Sequence, residues 1–110
     1  VRFEFGQRGL SEANEAALDA LVEALSGCND VEIVVEGHTD ASGGALANVR
    51  MSRLRADSVA AFLAARLTND IPIFTSGFGD ARPVAPNDTR EGRAQNRRIE
   101  ITVLSKVTEE

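Results

Sequence analysis

Four polar residues around the end of one predicted strand have the types and spacing of a small binding site. Asp40 ends the segment GHTD, and Asn48, Ser52 and Arg55 follow it along a predicted helix. Spacings of four and three residues place the last three side chains on one helical face. A carboxylate and a guanidinium held close together can pair with each other, or they can bind the ammonium and carboxylate ends of a zwitterion.

Each of these residues also has a simpler explanation. Asp40 can cap a helix or close an Asx turn. Arg55, Asn48 and Ser52 can lie on a solvated helix face. Spacing by itself therefore favours the simpler roles and leaves zwitterion binding open. The small residues ASGG at 41–44 would let a ligand come close to Asp40.

Catalytic, metal and redox sites find little support in the sequence. Ser52 has no base partner nearby, and Asp40 is the only acidic residue of the motif, so neither a nucleophile nor a carboxyl pair is predicted. His38 is the single histidine, and the nearby sequence offers it no further metal ligands, so we expect a structural or pocket-edge role. Cys28 is the single cysteine and cannot form an internal disulfide. We therefore expect a protein that is not an enzyme and that holds no metal or cofactor.

Size and charge narrow the class of protein further. The 110 residues suit one domain, and the net charge of −5 argues against a nucleic-acid partner, which would call for a basic surface. No apolar run reaches the roughly 18 residues of a membrane span, and no signal peptide is visible. We expect a domain cut from a longer protein that carries the localisation signal elsewhere.

The hydrophobic pattern predicts an α/β (α+β) two-layer sandwich. Alternation predicts strands near residues 1–5, 31–36 and 99–103, and a short apolar run predicts another at 71–74. Helical periodicity predicts a helix from the N-cap Ser11 to Gly27, a longer one at about 45–67, and one or two turns within 89–96. The order β-α-β-α-β-(short α)-β implies a mixed sheet with two main helices packed on one face. The domain is expected to span residues 1–104, followed by a polar C-terminal tail at 105–110.

Two sets of residues are expected to face opposite ways in this sandwich. The inward set comprises Val1, Phe3 and Phe5 of the first strand and Val49, Ala56, Ala60, Leu63 and Leu67 of the long helix, and Phe74 and Phe78 are also expected to pack. The wet face of the sheet is expected to carry Arg2, Glu4, Glu32, Glu36, Arg98 and Glu100.

Four motifs in a fixed order resemble a known family. They are GHTD at 37–40 with Gly43 and Asn48 behind it, MSRLRADSV at 51–59, GFGDARPVAPN at 77–87 and EGRAQNRRIEI at 91–101. In this order and spacing the chain resembles the OmpA-like C-terminal domain, the peptidoglycan-binding module of bacterial envelope proteins. The resemblance extends from the first predicted strand to Val103.

The resemblance implies non-catalytic binding of the diaminopimelate residue of the peptidoglycan stem peptide. Asp40 would take the ammonium of that residue and Arg55 its carboxylate. Thr39 and Asn48 would supply hydrogen bonds, and Arg97 would line the pocket. Met51 replaces the leucine usual in the family, a volume-conserving change, and Leu46 is expected to alter the pocket wall.

The resemblance also implies a place in the cell. The domain would anchor a periplasmic or outer-membrane parent protein to the cell wall, touching the membrane only through parts of the parent outside this chain, and a homodimer is possible. The alternative is a structural or dimerisation domain in which Asp40 and Arg55 form an internal salt bridge and bind no ligand.

Overall fold

The computed structural model describes residues 1–105, which form three helices around one three-stranded sheet. The sheet has the order β2-β1-β3, with β1 parallel to β2 and antiparallel to β3. This arrangement confirms the mixed sheet with helices expected from the sequence. The elements in chain order are α1 (Glu12–Ala24), β1 (Val31–His38), α2 (Ala45–Arg66), β2 (Ile73–Gly77), α3 (Arg90–Asn96) and β3 (Arg98–Ser105).

The start of α1 follows from its capping residues. Ser11 Oγ accepts a hydrogen bond from the Asn14 backbone amide at 3.1 Å, and Asn14 Oδ1 accepts one from the Ser11 amide at 3.0 Å. This reciprocal box satisfies two amides that the helix leaves free. The helix ends at Ala24, three residues before the predicted end at Gly27, whose φ of 81° lies in the left-handed region.

The core lies between the helices and one face of the sheet. Ile33 and Val35 of β1 are fully buried there, and burying such side chains stabilises the fold by about 1.5–3 kcal/mol each. Residues from both long helices complete this layer: Leu18 from α1, and Ala56, Val59 and Leu63 from α2. Within residues 1–105, none of the helices combines the length and the apolarity that crossing a bilayer requires.

The first predicted strand does not form, which corrects one element of the predicted order. Residues 1–5 contribute only an isolated bridge between Arg2 and Arg98. The Gln7 amide donates to the Glu4 carbonyl at 3.0 Å and closes a turn there. Because the chain turns away at this point, Phe3 reaches the core while Phe5 is 74% exposed, so the expected inward position of Phe5 is wrong.

Helix α2 has almost the predicted length but packs through different residues near its start. Val49, expected inward, is 42% exposed, while Ser52 is fully buried. Two glycines allow this close approach of the helix to the sheet. A Cβ on Gly37 would overlap the Ser52 carbonyl, and one on Gly77 would lie 2.7 Å from the Arg53 amide nitrogen. The polar face of α2 therefore sits directly on the ends of β1 and β2.

The second face of the sheet is only partly wet. Arg98 was expected to be solvated but is 8% exposed, because its guanidinium donates to the Arg82 carbonyl at 2.9 Å and the loop between β2 and α3 covers it. Phe78 from the same loop stacks on His38 with 5.4 Å between ring centroids. Phe74 was expected to pack but is 53% exposed, so it is more exposed than predicted.

The predicted tail at 105–110 overlaps the last strand by one residue. Ser105 is the final residue of β3. Residues 106–110 lie outside the described residues. The domain boundary at residue 104 stays a prediction.

Candidate functional site

A pocket of about 220 Å³ opens between the end of β1 and the first half of α2. Its size suits the end of one amino-acid side chain, since pockets for whole drug-sized ligands measure roughly 300–1,000 Å³. The pocket brings together all five residues that the resemblance singled out, which are Thr39, Asp40, Asn48, Arg55 and Arg97.

Asp40 lies at the base of this pocket as a buried, hydrogen-bonded carboxylate. Arg97 Nη1 donates to its Oδ2 at 2.8 Å, and the Ser42 amide donates to its Oδ1 at 2.8 Å. Burial alone would raise the pKa of Asp40, but the hydrogen bonds from Arg97 and Ser42 outweigh it and hold the pKa below its usual value. Asp40 is therefore ionised at neutral pH. It closes the Asx turn as well as facing the pocket.

Arg55 is a buried cation whose guanidinium meets only carbonyls and a ring. Its Nε donates to the Gln7 carbonyl at 2.8 Å and its Nη2 to the Glu4 carbonyl at 3.3 Å, and its Cζ lies 5.1 Å from the Phe3 ring centroid. The residue is 2% exposed. Burial, followed by the charge of Arg97, lowers the pKa of Arg55, yet an arginine stays protonated at neutral pH. Within residues 1–105 it has no carboxylate partner, so the alternative Asp40–Arg55 salt bridge does not form.

Thr39 and Asn48 place polar atoms in the pocket wall that no protein group satisfies. Thr39 is 6% and Asn48 7% exposed, and within the described residues Thr39 Oγ1 and Asn48 Nδ2 have no hydrogen-bond partner. Leaving such a group unpaired costs about 1–3 kcal/mol, and native structures contain few of them. Two of them in one pocket, beside a carboxylate and a guanidinium, indicate a place for a polar ligand.

Ser52, which shares this helical face, has a structural role instead. Its Oγ donates to the Val49 carbonyl at 2.8 Å and accepts from the Gly79 amide at 2.9 Å. The hydroxyl thus ties the loop after β2 to α2. It is not among the pocket residues, and because it is fully buried the simpler explanation of a solvated helix face is wrong for this residue as well.

The apolar part of the pocket wall includes Phe5, which the sequence did not indicate as a pocket residue. Phe5 and Met51 line the pocket, and Leu46, which was expected to alter its wall, is 63% exposed and lies outside it. Met51 shares the helical face of Asn48 and Arg55, so spacing alone could have found it. Phe5 could not be found this way, because its position depends on the turn at Glu4–Gln7.

A second polar cluster lies on the opposite face of the sheet, around His38. The register sets Glu36 opposite Glu100 and His38 opposite Arg98. As a result, one ligand atom from each of Glu36, His38 and Glu100 lies within 4.8 Å of the others. The expectation that the nearby sequence offers His38 no further metal ligand is wrong for Glu36, two residues before it, and strand pairing adds Glu100 from far along the chain.

This cluster is better described as an ion-paired network than as a metal centre. Arg98 Nε donates to Glu100 Oε2 at 2.6 Å, and Arg82 Nη1 lies 3.9 Å from Glu36 Oε2. Burial and then the charge of Arg98 lower the pKa of His38, which leaves the imidazole neutral. A metal ion would have to compete with two guanidinium groups that already neutralise both carboxylates.

Comparison with known proteins places this site in context. Residues 2–97 match the OmpA family. The probable lipoprotein YiaD of Escherichia coli is 40% identical over 103 residues, which cover 94% of this chain and 47% of that protein. The peptidoglycan-binding protein ArfA of Mycobacterium tuberculosis is 40% identical over 101 residues, covering 90% of this chain and 31% of ArfA. The chain thus spans half or less of the length of these relatives.

Two solved structures share the fold closely. The peptidoglycan-associated lipoprotein from Burkholderia pseudomallei aligns with a TM-score of 0.86 at 25% identity, over 94% of this chain and 87% of that one. The cell wall anchor of the T6SS from Pseudomonas aeruginosa aligns with a TM-score of 0.79 at 30% identity, over 94% and 74%. With the family match extending over most of its length, this chain belongs to the OmpA family.

Proposed function

We propose that the domain binds peptidoglycan through the diaminopimelate residue of the stem peptide and thereby anchors a longer envelope protein to the cell wall. The observation that carries this proposal is a pocket with one buried carboxylate, Asp40, and one buried guanidinium without a counter-ion, Arg55. The free end of a diaminopimelate side chain carries an ammonium and a carboxylate. It therefore complements both groups at once.

Each pocket residue has a role in this proposal. Asp40 accepts the ammonium, and Arg55 takes the carboxylate with its two-donor fork. Asn48 Nδ2 is a donor and suits the carboxylate, while the Thr39 hydroxyl can donate or accept. Arg97 acts on Asp40, because its hydrogen bond keeps that carboxylate ionised and aimed into the pocket.

The charge balance of the pocket explains why a zwitterion is preferred. Asp40, Arg55 and Arg97 sum to one positive charge, so a ligand that brings only an ammonium adds repulsion. With their α-amino and α-carboxyl groups blocked, as they are within a peptide, lysine and amidated diaminopimelate both lack the side-chain carboxylate that would neutralise Arg55. They should therefore bind much more weakly than meso-diaminopimelate.

The domain acts as a binding module and not as an enzyme. Among residues 1–105, Asp40 is the only carboxylate that lines the pocket, and the Ser52 hydroxyl binds the loop after β2 instead of facing the pocket. The relatives of this chain include a lipoprotein, a peptidoglycan-binding protein and a cell wall anchor. These relatives support a place in the cell envelope. Attachment to a membrane would come from parts of the parent protein outside this chain, and with a net charge of −5 nucleic acid is not a partner.

The test is a calorimetric titration of the domain with meso-diaminopimelate, its side-chain amide and lysine, each blocked at its α-amino and α-carboxyl groups so that the side-chain end alone differs. We expect saturable heat with the first ligand and loss of it with the other two. Equal binding of all three would contradict zwitterion recognition. No binding of any of them by a folded sample, as judged by circular dichroism, would overturn the proposal for this residue and leave a structural role, including a homodimer, as the better explanation.

A further inference from the structure

A second groove, with a volume of about 380 Å³, opens directly beside the diaminopimelate pocket. Both cavities are lined by Phe5, Asp40, Ser42 and Arg97, so they share one wall. Arg90 and Arg93 complete the far side of this second cavity together with Glu4. We call it the arginine groove, after Arg90, Arg93 and Arg97.

Two of the three arginines in this groove lack a partner of opposite charge. Arg97 is paired with Asp40, but no carboxylate oxygen within residues 1–105 lies within 4.0 Å of Arg90 or Arg93. Arg93 donates only to the Asn87 carbonyl, at 3.1 Å. With Glu4 and Asp40 included, the groove carries one net positive charge on a chain whose net charge is −5.

The groove is held against the pocket by a rigid support. Asn96 Nδ2 donates to Asn87 Oδ1 at 2.8 Å, and the same oxygen accepts from the Ala41 amide at 3.2 Å, one residue after Asp40. A Cβ on Gly92 would overlap the Pro86 carbonyl, so α3 packs tightly on the preceding loop. Arg90 and Arg93 therefore project from a helix whose position relative to Asp40 is fixed.

We propose that the arginine groove binds a second carboxylate of the stem peptide, on the residue next to diaminopimelate. This inference rests on the proposed function. A residue joined to diaminopimelate lies within one or two residue lengths of it, at about 3.3–3.6 Å per residue. Because the two cavities share a wall, that neighbour enters the groove when the diaminopimelate side chain occupies the pocket. A free carboxylate there meets the two-donor forks of Arg90 and Arg93.

Two carboxylates of a stem peptide have this chemistry. One is the free α-carboxylate of the residue that precedes diaminopimelate, and the other is the carboxyl terminus of the peptide that follows it. Amidating one or the other separates the two sources. The groove then discriminates between cell walls by the state of a carboxylate outside the diaminopimelate side chain.

The test compares ligands of increasing length on the same domain. Free meso-diaminopimelate, a tripeptide in which one stem-peptide residue precedes diaminopimelate and one follows it, with both carboxylates free, and the same tripeptide amidated at either position are titrated into the domain. We expect the free tripeptide to bind about tenfold more tightly than diaminopimelate, since each solvent-exposed ion pair contributes a factor of roughly two to five. One amidated peptide should lose this gain, which identifies the carboxylate.

Variants then locate the effect in the groove. Arg90→Gln and the double variant Arg90→Gln/Arg93→Gln should lose the tripeptide gain and keep the affinity for free diaminopimelate. Arg53→Gln on the outer side of α2, where Arg53 is 63% exposed, is the matched control and should behave as the parent. Arg90 is the cleaner position, because Arg93 also supports the loop through Asn87.

The outcomes separate the two proposals. If diaminopimelate binds but the tripeptide gains nothing, or gains equally in the Arg90→Gln/Arg93→Gln variant, the groove proposal is wrong and the pocket stands. If neither ligand binds the folded parent domain, the proposed function fails and the groove proposal fails with it. Raising the salt concentration from about 0.02 to 0.3 M should reduce the tripeptide gain, because exposed pairs are screened at that ionic strength.

Discussion

Asp40 is neutralised by Arg97, which lies 57 residues further along the chain, and not by Arg55 on the adjacent helix. The two side chains are 5% and 12% exposed, and 2.8 Å separates Asp40 Oδ2 from Arg97 Nη1. This pairing leaves Arg55 as a pocket cation that has no carboxylate partner within residues 1–105. Under the proposed function, the carboxylate that would accept a ligand ammonium and the guanidinium that would donate to a ligand carboxylate are thereby not paired with each other.

Replacing Asp40 with alanine should affect both binding and stability. Binding of diaminopimelate should weaken by about 2–5 kcal/mol, because the ligand ammonium would be left without a counter-charge. The free energy of unfolding should fall by up to about 3–5 kcal/mol, because Arg97 would be left as an uncompensated, nearly buried charge. Thermal unfolding and titration at pH 7 measure the two effects.

The double variant Asp40→Ala/Arg97→Gln is the control for this prediction. It removes both charges of the pair, so stability should recover while diaminopimelate binding stays lost. Recovery of binding in the double variant would mean that Asp40 does not contact the ligand.

Replacing Arg55 with methionine should separate binding from stability. Methionine keeps most of the buried volume and removes the unpaired cation, but it leaves the Gln7 and Glu4 carbonyls without this donor, so the free energy of unfolding should fall by no more than about 1–3 kcal/mol. Binding of diaminopimelate should weaken by about 2–5 kcal/mol, since the ligand carboxylate loses its partner. Arg55→Lys keeps the charge but not the fork and should bind with intermediate affinity. A large loss of stability in Arg55→Met would show that Arg55 is a structural residue instead.

The sequence predicts those features of the fold that depend on residues close together in the chain, and it misses those that depend on contacts between distant segments. The extent of α2 follows from apolar periodicity and the start of α1 from the capping residue Ser11, and both signals act within one or two turns. The placement of Phe5 and Arg98 does not follow from such signals, because it depends on a turn at Glu4–Gln7 and on a loop that folds over the sheet. The same reason explains why Arg97 as the partner of Asp40 was out of reach, whereas its presence in the pocket followed from the family resemblance.

Gly37 sets how closely α2 can approach the sheet, and its replacement tests that contact. Gly37→Ala should lower the free energy of unfolding by about 3 kcal/mol, the upper end of the range for overpacked sites. The added Cβ overlaps the Ser52 carbonyl, and this backbone group can move only if α2 shifts as a whole. It should also weaken diaminopimelate binding by shifting Asn48 and Arg55. Gly9→Ala is the control, since a Cβ there meets nothing within 4 Å. Equal stabilities of the two variants in chemical denaturation would contradict this account.

Protonation of His38 should make the free energy of unfolding depend on pH below 6.5, a higher pH range than the one in which the pocket residue Asp40 titrates. His38 is 2% exposed, and the groups that face it are Glu36, Arg98, Glu100 and Arg82, with Phe78 stacked on its ring. Burial, followed by the charge of Arg98, lowers the pKa of His38 below 6.5. The unfolded chain therefore takes up a proton at a higher pH than the folded domain does.

The linkage between protonation and folding gives the direction of this effect. The contribution of His38 to stability is fully present above pH 6.5 and is lost as the pH falls from 6.5 through the lowered pKa of the folded state. The pKa values of Asp40 and Glu100 are also lowered, so their contributions are lost only at more acidic pH, below the usual range of carboxylates near 4. Denaturation between pH 7.5 and pH 5 should thus show falling stability in the parent and a shallower fall in His38→Gln, where the Val1 ammonium, whose pKa burial also lowers from 8.0, still titrates. An unchanged slope in His38→Gln would assign the effect to another group.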